Sequence, residues 1–225
     1  MGGRPGCLAL AFFALVLLLP FFLANAMLTA LARLGLSPET SLLAAVGIFM
    51  GGVVNIPVKK IPREEIVEIP ALPLFGLGQL LPRVVRRRTH TVIAVNVGGC
   101  LVPLTLVAYE LWRLAGMGWG SFGLALVAAA VNTAVCWKVA RPIPRVGIAM
   151  PALVPALVAA LTALLLLPEM APPVAFVAGV LGPLVGADLL HFDDVKEIGT
   201  GMASIGGAGT FDGIVLSGLV ATLLA

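Results

Sequence analysis

The stretch Ser204-Ile-Gly-Gly-Ala-Gly-Thr-Phe-Asp-Gly-Ile-Val-Leu-Ser-Gly218 sets one carboxylate, Asp212, inside an apolar run that continues to Ala225. Taking a carboxylate out of water is costly unless a neighbouring group accepts it. Whether this run lies in a membrane therefore decides both the fold and the meaning of Asp212.

Composition answers the first half. Of 225 residues, 60% are hydrophobic and 11% charged, and the mean hydropathy is +1.10. No soluble domain of this size needs so much apolar surface. A helix that crosses about 30 Å of hydrocarbon needs about 20 apolar residues, and the chain offers several such runs separated by short charged clusters. The expected fold is all-α: a polytopic membrane protein of about seven transmembrane helices in a single integral membrane domain. The spans are read at 8–32, 41–58, 91–109, 119–137, 146–168, 170–190 and 203–225. The run ALPLFGLGQLLP at 71–82 is too short to span and carries two glycines and two prolines, so an interfacial or re-entrant piece is expected there.

Charge sets the orientation. Of the fourteen Lys and Arg residues, all but Arg33 and Arg113 fall on one side of this topology. The positive-inside rule then places the N-terminus in the cytoplasm and the C-terminus outside the cell membrane. The net charge of +3 reports that topology, so the partner expected is the lipid bilayer and not a nucleic acid. Arg86-Arg87-Arg88 reads as a topology anchor. Ala24-Asn25-Ala26 resembles a signal-peptide cleavage site, but the apolar run continues through Met27 to Ala32, which favours an uncleaved first helix.

Cys7, Cys100 and Cys136 lack metal-ligand spacing and read as small packing residues. His191, Asp193, Asp194 and Glu197 are metal-ligand types, but in a short cytoplasmic loop a solvated acidic turn is the commoner meaning. Neither a metal nor a cofactor is expected.

Five polar intramembrane residues share a depth, although Asn25, Thr105, Glu110 and Thr162 fall in the outer half. Asn55, Asn96, Asn132, Asp188 and Asp212, on five of the expected helices, all fall toward the cytoplasmic ends. Pro151 and Pro155 interrupt the expected fifth helix at the same level. A single membrane Asn usually hydrogen-bonds a neighbouring helix, contributing about 1 kcal/mol. That explains each Asn alone, but not two acids and three asparagines at one level, which suggests a polar cavity open to the cytoplasm. Six glycines between Gly199 and Gly213 favour an unwound or re-entrant start to the last helix. The candidate catalytic pair is Asp188 and Asp212. Asn55, Asn96, Asn132, Gly206, Gly207, Gly209 and Thr210 are the candidate residues for binding a substrate or ion.

GADLLH at 186–191 followed by SIGGAGTFDGI at 204–214 resembles a family of prokaryotic membrane proteins catalogued as domain of unknown function 1614. VNIP at 54–57 and VNVGG at 95–99 extend the likeness along the chain. That resemblance implies a multi-pass fold and no established activity. A weaker one is to intramembrane aspartyl proteases of the presenilin and prepilin-peptidase type, which carry one Asp on each of two adjacent helices and a GxGD motif. Here Thr210 and Phe211 separate Gly207-Ala-Gly209 from Asp212, so GxGD is absent, and the Pro-Ala-Leu triplets at 151 and 155 precede both aspartates instead of following them.

Three classes stay open on these residues. Two carboxylates sharing a proton could hydrolyse a membrane peptide. The same residues could bind a proton or cation in a small-solute transporter. A scaffold without turnover is the third. The hydrolase is the first expectation.

Overall fold

The computed structural model describes residues 5–69, 83–143, 147–151, 153–194 and 201–225. The piece expected at 71–82 lies outside the described residues. The elements run α1 (Pro5–Arg33), α2 (Pro38–Gly51), β1 (Asn55–Ile69), β2 (Arg83–Asn96), α3 (Val102–Met117), α4 (Trp119–Val139), β3 (Arg141–Ile143), β4 (Gly147–Ala149), α5 (Val154–Leu166), α6 (Ala171–Leu181), β5 (Met202–Ile205) and α7 (Gly213–Leu224). A π-helical turn, Val97–Leu101, leads into α3, and a π-helical segment, Gly182–Leu189, continues α6.

The chain is mostly helical, but it is not all-α. The helix expected at 41–58 stops at Gly51, and the one expected at 91–109 begins as a strand. Pro57 and Pro62 explain the first correction, because a helix interior cannot absorb two missing N–H groups whereas an edge strand can. Thr89, Thr91, Val92, Ile93 and Val95 explain the second, since β-branched residues suit a pleated surface better than a helix. β1 and β2 form a long antiparallel hairpin, and β5 joins β2 in parallel, giving the order β1-β2-β5. β3 and β4 make a second, two-stranded hairpin. Pro151 and Pro155 do not interrupt α5 either. The helix starts at Val154, and Pro155 lies in its first turn, where its missing N–H costs nothing.

Among the described residues three helical stretches are long and apolar enough to cross a membrane: Val97–Met117, Trp119–Val139 and Pro168–Leu189. α2, α5 and α7 are shorter, at 14, 13 and 12 residues. At 1.5 Å per residue they reach only about 18 to 21 Å.

Packing follows the logic of a membrane protein. Ala125, Ala128, Ala156, Ala159, Ala163, Ala175 and Ala178 are fully buried between α4, α5 and α6, while Leu126, Leu157, Leu161 and Leu165 face outward. A protein in water puts its large apolar side chains inside to remove them from solvent. Small residues inside and leucines outside are favourable where lipid covers the leucines and close backbone approach holds the helices. This inversion, with the three long apolar helices, makes the chain a membrane-associated protein.

The two arginines that break the charge bias sit at the end of the bundle remote from the sheets. Arg33 donates to the carbonyls of Thr222 (3.4 Å) and Leu223 (2.9 Å), satisfying the last turn of α7. Arg113 pairs with the fully buried Glu110 at 2.9 Å and also donates to the Leu34 carbonyl, so it ties α3 to the turn between α1 and α2.

Candidate functional site

The opposite end of the bundle is where the helices give way to strands, and a cavity of about 360 Å³ opens there. Its walls come from four places: Ile93 of β2, Gly147 and Ile148 of β4, Asp188 and Phe192 beyond α6, and the run Met202–Ala208 with Asp212. The cavity floor is apolar, because Ile93 packs with Ile148, Phe192 and Ala203.

Asp212 enters through local sequence. It stands immediately before Gly213 in extended conformation, where a short acidic side chain can accept the orphan amides of a helix start. Its Oδ1 accepts from the Ile214 N–H (3.0 Å) and its Oδ2 from the Ala208 N–H (3.2 Å). The helix thus begins at Gly213, well inside the span expected at 203–225, and Asp212 is its cap.

Asp188 arrives differently. Pro183 follows the last regular turn of α6 and has no N–H to give, and from Gly182 the backbone widens into π-helical bonding as far as Leu189. Asp188, near the end of this segment, lines the cavity. The Gly206 N–H donates to its carboxylate, and Asp212 lines the same cavity. The glycine-rich turn is therefore held from both sides, by Asp188 at Gly206 and by Asp212 at Ala208.

Close approach explains the glycines at that turn. Gly206 adopts φ +70°, and a Cβ on Gly99 would fall 2.0 Å from the Gly206 carbonyl oxygen. The backbone of the π-turn before α3 thus presses directly on the turn whose amides hold the two carboxylates.

The other candidate residues divide. Gly206 and Gly207 line the cavity beside the two aspartates. Gly209 packs against Gly52, and Thr210 lies half-buried in the single 3₁₀ turn before Asp212. Asn96 is fully buried. It donates to the Gly52 carbonyl (2.8 Å) and to Asn55 Oδ1 (3.1 Å), and accepts from the Gly99 N–H (2.7 Å). The Ser204 hydroxyl donates to the same Asn55 oxygen. Asn55 and Asn96 thus bracket α2, both hairpin strands and β5 together, behind the cavity wall. Asn132 is fully buried between helices, donating to the Ala178 carbonyl at 2.8 Å.

Ile93, Ile148, Phe192 and Met202–Ile205 were not among the expected site residues. Their signal was the short β-branched run before Asn96 and the turn-rich PIPRVG at 142–147, both hidden inside longer apolar stretches. Among the described residues no three His, Cys, Asp or Glu side chains converge as a metal site would require.

Beneath the cavity the bundle is tight. A Cβ on Gly179 of α6 would lie 2.8 Å from the Ser217 carbonyl oxygen of α7, so the two backbones touch.

No curated protein and no solved structure matches the chain. The likeness to presenilin-type and prepilin-type proteases finds no support in these comparisons. The model of one family, described as "Protein of unknown function (DUF1614)", matches residues 49–224, a span that includes both aspartates, all three asparagines and every strand, and the chain belongs to that family.

Proposed function

We propose that the protein is a multi-pass membrane hydrolase in which Asp188 and Asp212 act as one acid–base pair on an amide bond. The observation that carries this reading is that two carboxylates from different elements line one open-sided cavity, each accepting from an amide of the same glycine-rich turn. Two carboxylates held together in a poorly solvated place share one proton. The ionised partner takes a proton from a water molecule as the water oxygen bonds to the amide carbon, and the protonated partner gives its proton to the carbonyl oxygen. Collapse of the tetrahedral intermediate breaks the C–N bond, and a proton passes to the departing amine. The amides of Gly206 and Ala208 hold the pair in place and leave the chemistry to the remaining lone pairs.

The tight contact of α6 and α7 beneath the cavity favours a blind site over a conduit, and this sets the hydrolase above a proton-coupled transporter. Read with the charge bias, the cavity opens to the cytoplasm, where Lys59, Lys60, Lys138 and Arg141 flank the same end of the bundle.

The test uses protein in lipid vesicles with a pool of capped apolar peptides, cleavage being followed by mass spectrometry. Asp188→Asn and Asp212→Asn should each lower cleavage by about 10²-fold or more, and the double variant should lose no more than either single one. Asn caps a helix about as well as Asp, but its amide nitrogen cannot accept from the Ala208 N–H, so Asp212→Asn should fold and lose about 1 kcal/mol, the worth of one hydrogen bond. Full cleavage by either single variant would remove the proposal.

A further inference from the structure

The two exposed edges of the three-stranded sheet are built differently. β1, at one edge, carries Pro57, Lys59, Lys60 and Pro62, the residues that keep an edge from pairing with another chain. β5, at the other, reads Met202-Ala-Ser-Ile205, with neither proline nor charge. The unprotected edge runs along the cavity, whose wall includes all four of its residues.

The ladder fixes which backbone groups point there. The Val92 N–H donates to the Gly201 carbonyl, and β2 and β5 run parallel with Val92 opposite Met202. In a parallel pair successive residues direct their N–H and C=O groups to opposite sides. Ala203 and Ile205 therefore turn to β2, and Met202 and Ser204 turn to the outer edge. The Ser204 carbonyl is taken by the Gly207 N–H (3.1 Å). Both groups of Met202 and the N–H of Ser204 remain directed outward. Past them the line of the strand continues to Gly206, whose amide holds Asp188.

We infer that this edge receives an extended segment of another polypeptide, which adds to the sheet as a further strand beside β5 and runs up to the two carboxylates. The inference rests on reading the Asp188–Asp212 cavity as a substrate site, and it names the substrate as a peptide in strand conformation. At about 3.3 Å per residue, Met202 to Gly206 accommodates about four residues. Pairing with Met202 and Ser204 fixes their register, and alternate side chains of the segment meet the apolar floor at Ile93, Ile148 and Phe192. Backbone pairing also holds the segment extended, so a peptide bond is presented to the carboxylates outside any helix of its own.

Protein in vesicles is incubated with a capped hexapeptide alternating Val and benzoylphenylalanine, and capture is read by photocrosslinking. N-methylation is then placed at each amide of the peptide in turn. One alternate set of methylations should weaken capture by about tenfold per position, the worth of one hydrogen bond, and the interleaved set should leave it unchanged. Met202→Pro deletes an outward N–H without touching a bond to β2, and should weaken capture similarly, whereas Met202→Ala should not. Equal tolerance at every methylated position, absence of crosslinking, or unaltered capture by a folded Met202→Pro protein would overturn the inference. Alternation without cleavage would sink the hydrolase and keep the strand. Cleavage without alternation would do the reverse.

Discussion

Arg113 shows how a single residue is placed against its own electrostatic preference. It shares with Arg33 the end of the bundle remote from Lys59, Lys60, Lys138 and Arg141, and the cause is Glu110, a fully buried carboxylate one turn earlier on α3. The pair is completed by the Leu34 carbonyl, which accepts from the guanidinium, and by the Tyr109 ring 5.6 Å beneath it. Removing one partner of a buried pair leaves a charge without compensation, which typically costs about 3 to 5 kcal/mol. Arg113→Ala should lose stability of that order in denaturant titrations in detergent, and Glu110→Gln in the same background should recover part of it. No recovery would mean that Arg113 acts through packing and not charge. The asparagines are the converse case. Their residue type was legible as polar and inward-facing, but their partners are backbone carbonyls and each other, which spacing alone does not reveal.

At the scale of elements, the sequence was read correctly wherever an apolar run was long and uniform, as in Trp119–Val139, and misread wherever two elements share one run. Val92 to Tyr109 carries no charge, so hydropathy sees one helix, yet Asn96 ends a strand and Val97 starts a π-turn. β-branching before Asn96 and Gly98-Gly99 after it were the marks of the junction. The unwound start of α7 was legible, because so many glycines within fifteen residues serve no regular helix. What they serve is contact between the π-turn and the turn whose amides hold the carboxylates. Gly99→Ala tests that contact, since its Cβ would fall 2.0 Å from a backbone oxygen that cannot rotate away. The variant should keep its far-ultraviolet helix signal while hydrogen exchange across 201–209 accelerates about tenfold or more, reflecting local opening of a low-stability unit. Unchanged exchange there would show that α2 and α3 shift instead, and that the turn is not held by this contact.

At the scale of the whole molecule, the aromatic residues supply a ruler that is independent of charge. Trp112 and Trp119 are exposed at the end of the bundle bearing Arg33 and Arg113, and Trp137 is exposed at the other end of α4 beside Lys138. Trp119 and Trp137 stand about 27 Å apart along that helix at 1.5 Å per residue, close to the thickness of a hydrocarbon core. Indole rings favour the headgroup boundary on each side, so a bundle that spans the bilayer is expected to place these two levels at its two faces. Gly186 presses against the backbone of Thr133 and Trp137, which puts Asp188, two residues on, near the level of the Trp137 belt. On the proposed orientation the carboxylates would lie at the inner boundary of the bilayer, where water would reach them and where an extended peptide could approach along β5. Variants that keep one tryptophan at a time, reconstituted with lipids brominated at successive depths, measure this directly. Trp119 and Trp137 should both be quenched most by bromines near the headgroups, and a reporter fused after Ala225 should read extracytoplasmic. Strong quenching of Trp137 by bromines at the bilayer centre would push the aspartates deep into hydrocarbon, and the water required by the proposed hydrolysis would then have no path to them.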